Sequence, residues 1–374
     1  MKKRTSSKAA GFGIASVWFG SHCGGGFATG TLAANYYVKY GAWALIMPLV
    51  ALAIMVVVVT IQWEVCRSNK AYNYRQFGDV LYRPHQKLWS TVFEIMFVVD
   101  VIMALAIVCS SAGNLMMGFL PLPYIVSVAI FVLLIVLLTM FGTKILMRIG
   151  TILSVTLIAC LTITSIAGLS ANTENFHHIV STWETGDYGF GNALWSAILY
   201  ASFQCACLAT THSLTEELPD RKSVIWAGIF GFILNGAMML LTSYMLLSYF
   251  PDCIGDNLPV FSILSTRFDS PLLLAVYSLA LFLALVTTAI TCSSSLAARA
   301  EVFTAKLFRK PNANRFVCNL VVMIIGFCVA QFGLLAILNK GYSFIGYICI
   351  PLVILPTLII GPKRFKKDSE TPEN

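Results

Sequence analysis

The chain has 374 residues, of which 58% are hydrophobic and only 11% are charged. A soluble domain carries about 25% charged and about 45 to 50% apolar residues, because its core needs a polar covering. The composition therefore excludes a soluble protein, and it also excludes disordered, collagen-like and coiled-coil chains. The eleven cysteines lie almost entirely in apolar segments, so no disulfide framework is predicted.

Ten apolar segments are long enough to be membrane spans, which need about 20 residues to cross about 30 Å of hydrocarbon. They lack the alternating pattern of β-barrel strands, so all ten are predicted to be helices. In chain order, spans 1 to 10 are predicted at 10–38, 42–65, 88–118, 123–141, 145–169, 190–217, 223–250, 271–305, 316–338 and 342–361.

Lysine and arginine accumulate on the cytoplasmic side of membrane proteins. If the N-terminus lies inside the cell, all 25 lysines and arginines fall on the inner side except Lys39, Arg267 and Lys340. We therefore predict a multi-pass protein of the inner, cytoplasmic membrane with both termini in the cytoplasm. The net charge of +8 is attributed to this bias, and no nucleic-acid partner is expected.

Span 1 is interrupted at its centre by Ser21-His22-Cys23-Gly24-Gly25-Gly26. Each glycine inside a helix costs about 1 kcal/mol relative to alanine. Close packing of two helices is the alternative explanation, but three adjacent glycines do not share one helix face. An unwound segment that lines a polar cavity is favoured, because free backbone groups inside a membrane are tolerated only there or within protein.

Span 3 carries two acidic residues, Glu94 and Asp100. They point about 120° apart on an ideal helix and differ by about 9 Å in height, so they do not form one paired site. Asp100 lies closer to the membrane centre, where charged groups are expensive and usually functional. It could bind a substrate amine, hold a coupling proton, or be neutralised by hydrogen bonds within the bundle.

Span 6 is interrupted by the polar run Ser202-Phe203-Gln204-Cys205-Ala206-Cys207 and then by Thr210-Thr211-His212-Ser213. Ten spans form two sets of five, and an odd number of spans per set makes the second set inverted. Spans 1 and 6 then correspond, and paired interruptions are the best sequence indication of a transporter substrate site. The predicted division is a first five-helix repeat at 1–169, an extracellular loop at 170–189, an inverted repeat at 190–361 and a cytoplasmic tail at 362–374.

The segment from Cys23 to Gly30, Cys-Gly-Gly-Gly-Phe-Ala-Thr-Gly, resembles the glycine motif in the first helix of the amino acid, polyamine and organocation transporter superfamily. Residues 26–30 resemble more closely the same segment of the YkvI-like bacterial membrane proteins. The resemblance implies a LeuT-type fold of five plus five inverted helices with broken helices 1 and 6. It also implies secondary active transport. That family often has an acidic residue shortly after the motif, whereas Thr31 and Leu32 follow Gly30 here.

A break in span 1 exposes amide N–H groups, and a break in span 6 exposes carbonyl oxygens. A zwitterionic amino acid fits such a site, with its carboxylate against the amides and its amine against the carbonyls. The resemblance implies the same arrangement. The predicted substrate-binding residues are His22, Cys23, Gly24, Gly25, Gly26, Phe27, Asp100, Phe203, Gln204 and Cys205.

Span 8 contains a hydroxyl-rich run at 287–295. Because hydroxyl and carbonyl oxygens suit a sodium ion, the resemblance implies a sodium site here. Its ligands would be the carbonyls of Gly20 and Cys23 and the hydroxyls of Ser293 and Ser294. The alternative is that the hydroxyls hold neighbouring helices together. Apart from Na⁺ as a coupling ion, no cofactor is expected.

The expected function is secondary active transport, by alternating access, of a small amino acid or related amine with sodium. The alternative is proton-coupled transport of an organic cation through Asp100. A transition-metal transporter is a weaker alternative, because the soft ligands near the breaks lack a metal-binding spacing; these are His22, Cys23, Cys205, Cys207 and His212. The chain contains no Walker A sequence, so ATP-driven pumping is not expected. It also contains no H-E-x-x-H or G-x-S-x-G motif, so an enzyme is not expected. The expected partners are a small-molecule substrate and the lipid bilayer.

Overall fold

The computed structural model describes residues 6–24, 26–139, 143–304 and 311–366; for 143–155, 302 and 311 it describes the backbone alone. All regular secondary structure in these ranges is helical, which confirms the all-α prediction. The first half contains α1 (Ser7–His22), α2 (Thr31–Tyr36), α3 (Met47–Asn69), α4 (Tyr74–Leu81), α5 (Gln86–Met117), α6 (Tyr124–Thr139) and α7 (Thr143–Ala171). The second half contains α8 (Thr173–Thr182), α9 (Phe190–Cys207), α10 (Arg221–Leu247), α11 (Pro259–Arg267), α12 (Pro271–Thr304), α13 (Pro311–Ala330) and α14 (Leu334–Arg364).

Seven of the described helices are long and apolar enough to cross a membrane. An eighth candidate results if the end of α7 and α8, which meet at 75°, form one bent span. The two remaining predicted spans correspond to shorter pieces, α1 with α2 on either side of a break, and α6 with 16 residues. Each of the ten predicted spans therefore contains a helix of the structure, as expected for a multi-pass membrane protein.

The boundary between spans 9 and 10 lies earlier than predicted. The sequence places it around Lys340, whereas α13 ends at Ala330 and α14 begins at Leu334. Gly333, between the two helices, has a φ of 85°, which glycine adopts without strain. Lys340 is exposed within α14. Its long side chain can carry the ammonium group towards the membrane surface, so this charge does not require a loop.

Three short helices, α4, α8 and α11, connect the spans. The side chain of Asn73 caps α4 by accepting a hydrogen bond from the amide of Gln76 at 2.8 Å. At the start of α11, the Val260 amide donates to the carbonyl of Thr29 at 3.2 Å. This bond ties the loop between α10 and α12 to the break in span 1.

The first helix packs most extensively along α10, where two glycines allow a close approach. A Cβ added at Gly11 would lie 2.7 Å from the carbonyl oxygen of Ser223, and one at Gly231 would collide with the indole ring of Trp18. Trp18 is fully buried and meets Trp63 edge to face, with ring centroids 5.7 Å apart. Trp18 thus serves packing within the bundle.

A charged network joins α4, α5 and α12 at the end of the bundle where α3 ends and α5 and α10 begin, which we call the basic end. The Glu94 carboxylate accepts hydrogen bonds from Arg75 at 2.9 Å and from Arg299 at 2.6 Å. The hydroxyl of Tyr74 also donates to Glu94, at 3.4 Å. Glu94 thus has two arginine partners and one tyrosine partner, and it links α5 to α4 and α12 at this end.

Candidate functional site

The predicted interruption of span 1 is confirmed. After α1 ends, the carbonyl of Gly24 accepts hydrogen bonds from the amides of Phe27 at 3.1 Å and Ala28 at 3.2 Å. The chain then turns through Gly30, which has a φ of 83°, and α2 begins at Thr31. Gly25 lies outside the described residues.

The break lies directly against α12. A Cβ added at Gly24 would lie only 2.5 Å from the hydroxyl oxygen of Thr288, and the carbonyl of Ala28 accepts a hydrogen bond from Tyr277 at 2.8 Å. Span 8 therefore contacts span 1 through its hydroxyl-bearing side chains. The contact also explains why a residue without a side chain occupies position 24.

Two amides in the break are candidate donors to a ligand. Among the described residues, neither the Gly24 nor the Gly26 N–H has a backbone acceptor, whereas the Phe27 N–H donates to Gly24. The carbonyl of Gly26 accepts from the amide of Leu32 at 2.9 Å and is therefore occupied. A carboxylate is the complementary group for N–H donors of this kind.

The irregular part of span 6 begins later than predicted and takes a different form. Residues 202–207 continue α9, and a 3₁₀ helix follows at Leu208–Glu217. The hydroxyls of Thr210, Thr211 and Thr215 each donate to the carbonyl three residues earlier, at 3.0, 2.6 and 2.6 Å. These bonds satisfy carbonyls along the segment, so a run of polar residues changes the helix type without unwinding the backbone.

The buried side chain of His22 joins three spans. Its Nδ1 lies 2.8 Å from Oδ1 of Asn235 in α10, and its Nε2 lies 2.6 Å from the hydroxyl of Tyr200 in α9. Because Asn235 donates its amide to Gly231, its oxygen accepts from His22. In the neutral ring Nε2 then accepts from Tyr200, whose oxygen also receives a hydrogen bond from Gln204 at 3.4 Å.

Tyr200 and Asn235 were not predicted as site residues. They are 178 and 213 positions away from His22 in the chain, so no local motif could connect them to it. An isolated asparagine in the apolar run of α10 was the one available signal, because buried polar groups in membrane helices usually have a partner.

Asp100 is fully buried, and neither of its carboxylate oxygens has a hydrogen-bond partner among the described residues. It lies close enough for electrostatic interaction with three thiols and one phenol, those of Cys207, Cys292, Cys349 and Tyr342. The carboxylate thus lies near the end of α9, α12 and α14, and no described residue forms an ion pair with it.

The structure separates Asp100 from the break in span 1. Ile107 lies 3.7 Å from a Cβ added at Gly26. Because Ile107 is seven residues after Asp100, both project from nearly the same face of α5, about 10 Å apart along the helix. Phe203 packs in the same interior, stacked on Tyr342 with ring centroids 4.3 Å apart. Cys205 is fully buried in α9.

The residues predicted for sodium differ in their surroundings. The hydroxyl of Ser293 donates to Asn319 of α13 at 2.8 Å. That of Ser294 is buried and has no partner among the described residues. Thr288 is the residue of span 8 that contacts the break, and on an ideal helix both serines point more than 100° away from it. The sequence analysis did not single out Thr288. Gly20 lies in the last turn of α1, and Cys23 caps that helix.

The soft ligands near the breaks do not form a metal centre. His212 bonds through Nε2 to Gln62 at 3.2 Å and packs on the ring of Phe77. Within the part of the chain that the structure describes, no three His, Cys, Asp or Glu side chains are grouped so that they could hold a metal ion.

No protein-family model and no curated protein matches the sequence. Solved structures do match. A substrate-bound, outward-open Na⁺-coupled sialic acid symporter is 14% identical over 93% of this chain and 79% of its own, with a TM-score of 0.69. MhsT in complex with L-phenylalanine is 14% identical over 95% of this chain and 96% of its own, with a TM-score of 0.66. The E129A mutant of the Eremococcus coleocola manganese transporter is 15% identical over 97% of this chain and 82% of its own, with a TM-score of 0.67.

These similar structures are LeuT-fold transporters and not enzymes. At such low identity the likeness establishes the fold alone. The chain therefore has the LeuT-type fold that the glycine motif of span 1 implied, in a multi-pass membrane protein. The closer resemblance to the YkvI-like proteins stays a prediction.

Proposed function

We propose that this protein is a secondary active transporter that moves a small amino acid or related amine across the cytoplasmic membrane by alternating access, coupled to sodium. The observation that carries the proposal is the break in span 1, where the amides of Gly24 and Gly26 have no backbone acceptor among the described residues. Such irregular backbone inside a LeuT-type bundle is typical of a substrate site.

The two ends of the substrate would meet opposite charges. Its carboxylate would bind the Gly24 and Gly26 amides. Its amine would lie towards the carbonyl oxygens of Cys23 and of the last turn of α9, because a carbonyl has a second lone pair that can accept from an ammonium group. The aromatic ring of Phe203 and the amide of Gln204 lie on that helix and would contact the side chain of the substrate. The hydrogen-bond network of His22 would hold the end of α1 in place beside them.

For sodium, the candidate ligands are the carbonyls of Gly20 and Cys23 with a hydroxyl of span 8, either that of Ser294 or that of Thr288, which lies against Gly24. Ser294 is the better of the two predicted serines, because its buried hydroxyl has no other partner among the described residues. Ser293 already donates to Asn319. Hydroxyl and carbonyl oxygens are hard ligands, and they suit an alkali cation better than thiols do.

The test is the thermal stability of the purified protein with a panel of amino acids and amines, in sodium or in potassium. A ligand at 100 times its Kd stabilises the folded state by about 2.7 kcal/mol. We expect a shift with one small amino acid or amine that requires sodium, followed by sodium-driven uptake of that compound into proteoliposomes. A complete panel without any shift, in either salt, would contradict the proposal.

A second candidate function is proton-coupled transport of an organic cation through Asp100. The observation in its favour is that Asp100 is fully buried and that both its oxygens lack a partner among the described residues. An unpaired carboxylate in a membrane interior requires a proton or a bound cation. Ligand shifts that depend on pH, ignore sodium and vanish in Asp100→Asn would favour this function over the first.

A further inference from the structure

The outer surface of the bundle carries a groove between α3 and α10, with a volume of about 500 Å³. Its lining is almost entirely apolar and includes Val57, Thr60, Ile61, Ile225 and Ile229. Val57, Ile225 and Ile229 are 51%, 48% and 42% exposed, so the groove opens to the surroundings of the bundle. In a multi-pass protein those surroundings are lipid.

The groove exists because the two helices touch at glycines while branched side chains stand on either side. A Cβ added at Gly228 would lie 2.6 Å from the hydroxyl oxygen of Thr60, and one at Gly236 would lie 3.1 Å from Leu52. The bottom of the groove is therefore formed by the backbone at Gly228 and by Thr60. The hydroxyl of Thr60 has no hydrogen-bond partner among the described residues. The length from Ile225 to Ile233 corresponds to about 12 Å of helix.

Two basic residues mark the mouth of the groove at the basic end. Arg221 and Lys222 form the first turn of α10, and both are exposed. Lys222 precedes Ile225, Ile229 and Ile233 by three, seven and eleven residues. It therefore lies on the helix face that lines the groove. Arg221 lies over the ring of Phe365, 5.2 Å from its centroid.

Two acidic groups close to this turn, Asp220 and Glu64, have hydrogen-bonded partners, whereas Glu216 and Glu217 are exposed in the segment before α10. The carboxylate of Asp220 accepts hydrogen bonds from Ser7 at 2.7 Å and from the amide of Ser223 at 2.7 Å. That of Glu64 pairs with Arg67 at 2.8 Å. On the helix face that lines the groove, the charge next to the apolar channel is that of Lys222, and Asp220 lies about 200° around the helix from it. A basic residue beside an apolar channel is the complement of an anionic lipid.

We propose that this groove binds an anionic phospholipid, with one acyl chain between α3 and α10 and the phosphate at Arg221 and Lys222. An acyl chain gains little by leaving other acyl chains for an apolar groove, so the headgroup charge decides which lipid is bound. On its other side α10 contacts Trp18 through Gly231. The lipid therefore supports the helix on which α1 rests. The proposal does not depend on the substrate or the coupling ion.

The experiment measures lipids retained by the full-length protein in native mass spectrometry, after exposure to phosphatidylglycerol or phosphatidylcholine with the same acyl chains. Two variants test the two parts of the site. Arg221→Gln with Lys222→Gln removes the headgroup charges, and Ile229→Trp fills the groove. The matched controls are Arg83→Gln with Lys87→Gln at the same end of the molecule, and Ile130→Trp on the exposed surface of α6.

We expect the wild-type protein to retain phosphatidylglycerol in preference to phosphatidylcholine. Each basic residue near a membrane surface strengthens the attraction to an anionic headgroup. The loss of two should therefore reduce the preference for phosphatidylglycerol about thirtyfold. Ile229→Trp should abolish retention of the lipid, and both controls should behave like wild type. Equal losses in the Arg83 and Lys87 control would show general charge attraction and overturn the site. Unchanged retention in Ile229→Trp, or a dimer that occupies the groove in its place, would also overturn it.

Discussion

His22 donates its Nδ1–H to the side-chain oxygen of Asn235 across 2.8 Å, which joins the end of α1 to the middle of α10. The bond occurs at the last residue before the break in span 1, so it fixes the point at which regular helix stops. Because Asn235 can offer only its oxygen there, the bond also sets which ring nitrogen carries the proton. The other nitrogen is then an acceptor for Tyr200.

Tyr200→Phe is predicted to destabilise the fold by about 1 to 3 kcal/mol, because it leaves the buried Nε2 of His22 without a partner. The change removes one oxygen atom and keeps the ring contacts of Tyr200. The measurement is equilibrium unfolding in mixed micelles. Tyr188→Phe is the control, since Tyr188 is 41% exposed and should change stability little. Equal stability of the two variants would mean that the His22 network contributes nothing.

Gly24→Ala is predicted to abolish ligand-induced stabilisation, because the added methyl group would lie 2.5 Å from the Thr288 hydroxyl. Relief of this contact must move α12 or the break itself, at a cost of about 1 to 3 kcal/mol. The control is Gly13→Ala in the same span, where an added Cβ meets nothing within 4 Å. That variant should be neutral or slightly more stable, since alanine favours a helix more than glycine does. Normal ligand shifts in Gly24→Ala would show that the break does not bind the ligand.

The lengths of the apolar segments predict the fold, and the three adjacent glycines predict the break in span 1. Both are local properties of the sequence. In span 6 the sequence places the second polar run, 210–213, within the 3₁₀ segment, but the first run, 202–207, lies in regular helix. Polar side chains such as Ser202 are satisfied inside regular helix, where its hydroxyl donates to the carbonyl of Leu199 at 2.8 Å. The partners of His22 and the contact of Gly24 with Thr288 depend on which helices become neighbours. No local pattern in the sequence shows which helices will be neighbours.

Glu94→Gln is predicted to lower stability by about 1 kcal/mol, because it removes the shared partner of Arg75 and Arg299 at a partly exposed site. The pairs join α4 and α12 to α5, at 2.9 and 2.6 Å. The effect should shrink in high salt, which screens exposed charges. As the control, Asp252→Asn breaks a pair with Arg267 that is 3.7 Å long and largely exposed, and it should cost almost nothing. The measurement is the thermal midpoint of each variant at low and high salt.

The stability that Asp220 contributes is predicted to disappear in acid. Partial burial acts to raise the pKa of Asp220, but hydrogen bonds from Ser7 and Ser223 and the charge of Arg67 outweigh it, so the pKa is lowered. A depressed pKa in the folded state means that the contribution is complete above the ordinary value of about 4 and is lost as the pH falls through the folded value. The thermal midpoint of Asp220→Asn should therefore lie below that of wild type at pH 6. The two thermal midpoints should converge as the pH falls towards 3. A difference that does not change with pH would contradict the prediction.

Alanine variants of the two serines of span 8 distinguish a role in ion binding from a role in helix packing. Ser294→Ala removes a buried hydroxyl that has no partner among the described residues, whereas Ser293→Ala breaks the bond to Asn319 at 2.8 Å. If Ser294 binds sodium, its alanine variant should unfold like wild type in potassium and should lose the extra stability that sodium confers. Ser293→Ala should be less stable by about 1 kcal/mol in both salts and should keep its response to sodium. The measurement is the thermal midpoint against sodium concentration at constant ionic strength. A full sodium response in Ser294→Ala would remove this serine from the ion site and leave Thr288, which lies against Gly24, as the next hydroxyl to test.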